Sequence, residues 1–233
     1  MSWETKTDYC GLAVANKVII KSSTMNRSGQ YLEKPGKSGA IVATKAFGTL
    51  DAPSCEYAIQ AAHSFTAGAI KIGQVTTVDG KRYALQSLHY ENGAGIEPVF
   101  SATAQQIEST SDGTTRTMDV PAFSISPDEA AEMVMSAATV GGTGCELTKV
   151  TLDVSANVNN HTVKGVPVAS DVTQGHATVQ VEILQTSNTE PTLTAGTGWD
   201  ISEPLTCNDP DADLPTWTAK LSKPLAYTQA SQN

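Results

Sequence analysis

Two segments in the second half of the chain alternate strictly between apolar and polar residues. Apolar side chains occupy every second position of both: Val150, Leu152, Val154, Ala156 and Val158, and then Ala177, Val179, Val181 and Ile183. Because successive side chains of a β-strand point to opposite faces, this period of two predicts strands with one buried and one wet face. Such strands need an apolar layer on one side only, which favours an antiparallel sheet.

Further segments follow the same pattern and bring the expected total to about ten strands. Strands are predicted at Ala40–Ala46, Ser54–Ala61, Ala69–Val75, Arg82–Tyr90, Val99–Ile107, Arg116–Ile125 and Val163–Val168. Asp79-Gly80 predicts a tight hairpin turn, because both residues tolerate positive φ angles. Asn159–His161 predicts a second turn, directly after the first alternating segment.

One segment has the signals of a helix. Ser126 is suited to cap a helix, Pro127 to its first turn, and Glu129 to the third position of a capping box. Glycines at 141, 142 and 144 are suited to end it. The sequence therefore predicts one short helix over Pro127–Thr139.

Together these elements predict a mainly β protein, a β-sandwich or barrel with one short flanking helix and extended N- and C-terminal segments. Residues 1–38 are expected to form an N-terminal arm with one strand at Val18–Ile20 and an exposed loop, Ser22–Ser38. Residues 39–188 are expected to form the core. Residues 189–233 are expected to be a C-terminal extension that packs on the core or on a neighbouring subunit, within a single structural domain.

Composition excludes several classes of protein. The chain carries a net charge of -9, which disfavours binding to nucleic acid through its phosphates. It is rich in Thr and Ser, with 29 and 20 residues among 233, which suits wet sheet faces and loops. Its apolar runs are too short to span a membrane, and the first residues do not have the pattern of a secretory signal.

The search for reactive or metal-binding groups gives no strong candidate. The four cysteines, Cys10, Cys55, Cys145 and Cys207, are far apart and are expected to be free thiols. The four histidines, His63, His89, His161 and His176, have no partner at metal-binding or catalytic spacing. We therefore expect no enzyme, no catalytic residue and no cofactor. A weak alternative is a Ca²⁺ site at Asp209, Asp211 and Asp213, whose carboxylates occupy alternate positions.

The region from Gly39 to Gln185 resembles the major tail tube proteins of bacteriophages. The resemblance is one of pattern, a capped helix and a glycine stop followed by alternating strands, in CELTKVTLDVSANVNNHTVKGVPVASDVTQGHATVQVEI. The earlier segment GKSGAIVATKAFGTLDAPSCEYAI is similar in style to strands of the same family.

The resemblance implies a structural protein of the virion. Subunits of this family form hexameric rings that stack into a hollow tube, through which phage DNA passes without specific binding. The implied partners are further copies of the chain and other tail proteins, with no membrane involved, and the implied location is the phage tail after assembly in the bacterial cytoplasm. Six residues mark the implied assembly strands: Val150, Leu152, Val154, Val179, Val181 and Ile183.

A second function stays open from the residues themselves. A β-sandwich can serve as a decoration or adhesion module that binds a glycan or a host surface. Its site would combine Trp199 and Trp217 with the acidic turn Asn208–Asp213, where Ca²⁺ could bind.

Overall fold

The computed structural model describes residues 6–13, 17–35, 41–107, 117–127, 136–163, 166–210 and 212–228. For 27–35, 41–49, 160–163 and 166–170 it describes the backbone alone. Every helix or strand within the described residues is a β-strand, so the prediction of a mainly β fold is confirmed.

One large antiparallel sheet dominates the structure. Eight strands lie side by side in it, in this order: Val18–Pro35 (β1), Ile41–Ile59 (β2), Val99–Ile107 (β7), Lys81–Gly93 (β6), Cys145–Val163 (β11), Val166–Gln185 (β12), Thr216–Pro224 (β15) and Asp200–Cys207 (β14). A ninth strand, Val75–Val78 (β5), pairs with β6. β12 also comes close to β2 and β7, although β6 and β11 lie between them, so the sheet is strongly curved.

The remaining strands form three small sheets. One pairs His63–Phe65 (β3) with Phe123–Ile125 (β9). Another joins Lys71–Ile72 (β4), Thr117–Asp119 (β8) and Tyr227–Thr228 (β16). The third pairs Ala138–Gly141 (β10) with Thr192–Ala195 (β13).

The turn between β5 and β6 has the predicted form. Asp79 and Gly80 have φ angles of 49° and 75°, and Val78 lies opposite Lys81. Two consecutive positive φ angles give a turn whose twist matches that of the flanking strands. The Asp-Gly signal is therefore confirmed.

The core lies between one face of the large sheet and the small sheets that cover it. A continuous row of buried side chains crosses this face in register: Tyr57, Phe100, Tyr90, Leu152, Val179 and Leu221. Phe65 of β3 and Phe123 of β9 stack on each other at 4.6 Å and approach Phe100 at 6.5 Å. Aromatic pairs of this kind contribute about 0.5–1.5 kcal/mol each beyond the area that they bury.

The segment 6–13 packs on the same core face. Its anchor is Asp8, whose carboxylate accepts hydrogen bonds from the N–H groups of Cys10, Gly11 and Ala13 and, at 2.7 Å, from the Tyr57 hydroxyl. Cys10 and Leu12 are buried against the sheet. Part of the segment 6–13 therefore belongs to the core.

The predicted helix is wrong at its C-terminal end. Ala138 and Thr139 lie in β10, opposite Ala195 and Thr194 of β13, and Ser136 and Ala137 form a turn. Pairing with a strand that is distant in sequence has overridden a local helix signal, which is common for short elements. Residues 128–135, the middle of the predicted helix, lie outside the described residues.

Two predicted loops are strand instead. The turn expected at Asn159–His161 is part of β11. The strand predicted at Val163–Val168 is divided between β11 and β12, and the alternating segment from Ala177 to Ile183 is also part of β12. Asn157 and Asn159 donate side-chain hydrogen bonds across the pair, to Gln174 and Thr173. Most of the loop predicted at Ser22–Ser38 belongs to β1. Polar side chains around Thr24 are exposed, and such a strand carries no apolar alternation by which it could be recognised.

The boundaries of the core predicted at residues 38 and 188 stay predictions, although strands on opposite sides of each boundary pair with each other. β1 of the N-terminal part pairs with β2, and β15 of the C-terminal part pairs with β12.

Replacing Leu152 with proline is expected to prevent folding. β11 has a paired strand on each side at this residue, and proline supplies no N–H group to the ladder. Leu152→Ala is the matched control, because it should cost about 2–5 kcal/mol of unfolding free energy while keeping the ladder. Circular dichroism and urea unfolding distinguish the two variants. A Leu152→Pro protein that unfolds at the wild-type urea concentration would show that β11 is wrongly placed.

Candidate functional site

The outer face of the large sheet is polar along a central row that crosses its full width. One transverse row, in register from edge to edge, reads Ser22, Glu56, Ser101, His89, Asp153, Thr178, Ser222 and Asp200. Each of these residues is exposed or half-buried. We call this surface the polar face.

Neighbouring rows of the polar face are largely polar, apart from an apolar patch of Ile19, Ala58 and Val99 at the β1, β2 and β7 end of one row. On one side the row contains Thr24, Ser54, Thr103, Ser87, Ser155 and His176. On the other side it contains Val99, Glu91, Thr151, Gln180, Lys220 and Glu203. With eight strands about 4.8 Å apart, the face is about 34 Å wide.

The predicted assembly residues lie behind this face, on the buried side. Val150, Leu152 and Val154 pair in register with Val181, Val179 and Ala177, and all are buried. Ile183 is buried too, opposite Leu147. β11 and β12 are central strands that pair with each other. Along this stretch β6 occupies the other edge of β11, and β15 occupies the other edge of β12. The role of these residues in assembly stays a prediction, and in the structure they hold the polar face in place.

The polar face carries more carboxylates than lysines. Its acidic residues include Glu56, Glu91, Asp153, Glu182, Asp200 and Glu203, and its lysines include Lys21, Lys149 and Lys220. Each lysine is paired, with contacts of 3.1 Å from Lys21 to Glu56, 3.0 Å from Lys149 to Glu91 and 3.5 Å from Lys220 to Glu203. Exposed ion pairs contribute at most about 1 kcal/mol each. Their main effect here is to leave no unpaired lysine among the described residues of this face.

A shallow groove of about 370 Å³ lies on the polar face above β1, β2 and β7. Its side chains include the hydroxyls of Ser22, Thr24, Ser54, Ser101 and Thr103 and the carboxylate of Glu56. The hydroxyls largely bond to neighbours, as in the 2.6 Å contact between Thr24 and Ser54 and the 3.2 Å bond from Ser22 to Glu56.

Three residues of the central row repeat the order of a hydrolytic triad. His89 Nδ1 lies 2.7 Å from Asp153 Oδ1, and Ser101 is the cross-strand neighbour of His89 on the other side. This set has no signature in the sequence, because only the register of three strands brings the residues together. Ser101 lies between two paired strands, whose ladders use the backbone N–H groups that an oxyanion hole would need. We therefore assign no catalytic role to this row.

The other sequence candidates are not brought together into a site. Asp209 and Asp213 are exposed, and Asp211 lies outside the described residues. No group of three metal-binding side chains occurs in the part of the chain that the structure describes. Trp199 is buried and therefore offers no exposed ring for a sugar. The Trp217 indole donates a hydrogen bond to the Gln185 side chain.

The four cysteines are free thiols, as predicted. Cys10 and Cys55 are buried, whereas Cys145 and Cys207 are partly exposed.

No protein-family model matches the chain, and no curated protein matches its sequence. Among the described residues there is no helix with the length and apolar character needed to cross a membrane. The geometry of the polar face is therefore the basis on which a function can be assigned.

The His89–Asp153 pair is expected to add little to stability. With 36% and 60% of the two side chains exposed, water competes for their charges and hydrogen bonds. A double-mutant cycle with His89→Ala and Asp153→Ala, measured by urea unfolding at neutral pH, should give a coupling energy below about 1 kcal/mol. A coupling several times larger would show that the row is a structural element and not a free surface.

Proposed function

We propose that the chain is a structural subunit of a bacteriophage tail tube, which assembles as a homo-oligomer into stacked rings around a channel for DNA. The observation that carries this proposal is the polar face, which crosses eight strands without an aromatic side chain in any of its three described rows. A channel lining must stay wet over a wide area, and this surface has that character. The β-sandwich or barrel class, the hexameric ring and the virion location belong to the same proposal.

The open edges of the sheet support assembly through strand pairing. Within the described residues, β1 pairs only with β2 and β14 pairs only with β15. A ring of identical subunits needs two different edges that meet head to tail, and the sheet offers one at each end. Pro204 blocks pairing at its own position in β14, whereas β1 has no proline before Pro35. Paired edges would also remove a template for aggregation.

Two long hairpins support contacts between rings. β2 pairs with β7 only from Ser54 to Tyr57, and beyond Ser54 it continues to Ile41 paired with β1 alone. β11 pairs with β6 up to Ser155 and then continues with β12 to Val163. A two-stranded ribbon is marginally stable by itself in water. Contacts with a neighbouring copy would stabilise both ribbons.

Charge supports passage of DNA without retention. Carboxylates outnumber lysines on the polar face, and Lys21, Lys149 and Lys220 are each paired with a glutamate. The whole chain contributes a net charge of -9 in each subunit. Repeated around a ring, this charge repels phosphates, because electrostatic attraction to the backbone supplies most nonspecific DNA affinity.

Negative-stain electron microscopy of the purified chain tests the proposal. We expect rings or hollow tubes at high protein concentration, and light scattering should show a mass many times that of the monomer. The alternative, a decoration or adhesion module, predicts a strict monomer whose Tm rises with Ca²⁺ and glycans. That second result would overturn the tail tube proposal.

A single introduced cysteine tests whether the polar face lines the channel. Thr178→Cys, placed in a Cys145→Ser/Cys207→Ser background, adds a thiol at the centre of the face. In tubes, this thiol should react with a small maleimide but should resist a bulky polyethylene glycol maleimide, because a lumen admits the first and hinders the second. The unassembled subunit is the control and should react with both reagents. Equal reaction of tubes and subunits with the bulky reagent would place the polar face on the outside.

A further inference from the structure

The strands β2 and β7 separate at one residue, Pro53. On β2 their ladder runs from Ser54 to Tyr57. The N–H group of Asp51 points towards β7, where it finds an acceptor. Because the N–H groups of a strand alternate between its two edges, an N–H group at position 53 would point the same way. Proline has no such group to donate, so the ladder between β2 and β7 ends at this residue.

The pair of β1 and β2 continues beyond this fork as a two-stranded ribbon. It consists of residues 25–35 and 41–53, and Met25 lies opposite Pro53 at its base. We call it the β1–β2 ribbon. Pro53 does not interrupt the pairing with β1, because its missing N–H group would face the other edge. The ribbon is therefore intact within itself, while its connection to the rest of the sheet is weakened at its base.

Gln106 spans the gap that opens between β2 and β7. It lies on β7 at the position that a continued ladder would place opposite Asp51. The Asp51 N–H group donates a hydrogen bond of 3.2 Å to the side-chain oxygen of Gln106. A side chain thus makes a connection between the two strands beyond the end of their backbone ladder.

The carboxylate of Asp51 makes a second connection, to the hairpin of β5 and β6. Its Oδ2 atom lies 2.6 Å from Nζ of Lys81. The Asp51 side chain is 3% exposed and the Lys81 side chain 44%. Burial of a carboxylate is costly unless an opposite charge lies close, so the ammonium group favours this position of Asp51. Lys81 is itself well placed, because it lies opposite Val78 where the tight turn closes.

We infer that Asp51, Gln106 and Lys81 form a latch that sets the direction in which the β1–β2 ribbon leaves the sheet. Pro53 is the hinge, because it lacks the backbone bond that would join the ribbon to β7. While the latch is closed, the ribbon has one direction. When the latch opens, the ribbon turns about the hinge and its own ladder stays intact.

The latch matters for any contact that the ribbon makes with another protein. A ribbon that is held in one direction loses less conformational freedom on binding than one that turns freely. The latch belongs to the single chain, so it does not depend on the tail tube proposal and is tested on the unassembled subunit.

The distance between two spin labels measures the direction of the ribbon. Glu33→Cys places one label on the ribbon and Gln180→Cys places the other on the central strand β12. The background is Cys145→Ser/Cys207→Ser, and the two remaining cysteines are buried. The labelled full-length chain is diluted with unlabelled chain, so that double electron–electron resonance reports distances within one subunit. With the native latch we expect one narrow distance distribution.

Variants of the ion pair should open the latch. Lys81→Met and Asp51→Asn each remove one charge, and each should broaden the distance distribution. Lys81→Arg keeps a cation at this position and should keep the distribution narrow. Lys149→Met is the matched control, because it removes a lysine from an exposed pair with Glu91 and should leave the distribution unchanged. Circular dichroism checks that each variant keeps its β-structure.

A variant of Pro53 tests the hinge separately. Pro53→Ala supplies the missing N–H group, so in the Lys81→Met background it should extend the ladder to β7 and restore the narrow distribution. A broad distribution in this double variant would overturn the role of the hinge. The latch would be overturned by a narrow distribution in folded Lys81→Met, or by equal broadening in Lys149→Met. Loss of the fold in both Lys81→Met and Asp51→Asn would also overturn it, because the pair would then stabilise the whole chain and not the direction of the ribbon.

Discussion

The hydrogen-bond ladder of eight adjacent antiparallel strands is the constraint on which the rest of the structure depends. Because the side-chain period of a strand is two, the register of each pair decides which residues share a face. A slip of one residue between β6 and β11 would place Leu152 among the hydroxyls and Asp153 among the aromatic rings. The polar face and the core are therefore two results of the same set of backbone bonds.

Local pattern predicted the parts of the fold whose signal is local. The alternation at Val150–Val158 and the Asp79-Gly80 turn both correspond to what the structure contains. Strand Val99–Ile107 was predicted with the limits that the structure shows. In each case, the residues that form the pattern are close together in the sequence. The pattern also has one physical cause, which is side-chain burial for a strand and a positive φ angle for the turn.

Features that depend on distant pairing were not predictable in this way. Thr139 follows a good helix start, yet it pairs with Thr194 more than fifty positions later. Asparagine is common in turns, but the side chain of Asn159 donates a hydrogen bond to Thr173 across a continuous hairpin. The central row of the polar face is the clearest case, because Ser101, His89 and Asp153 come from three strands and have no common motif. The polar character of the strands could be read from the sequence, whereas their order in the sheet could not.

The docking of the N-terminal segment has a consequence for synthesis of the chain. Asp8 needs the hydroxyl of Tyr57, and the Cys10 carbonyl bonds to the side chain of Gln74. At elongation rates of roughly 5–20 residues per second, these partners leave the ribosome several seconds after the segment that they hold. During synthesis, the segment 6–13 therefore waits several seconds for these contacts. During that interval Cys10, which is buried in the folded protein, is exposed to solvent.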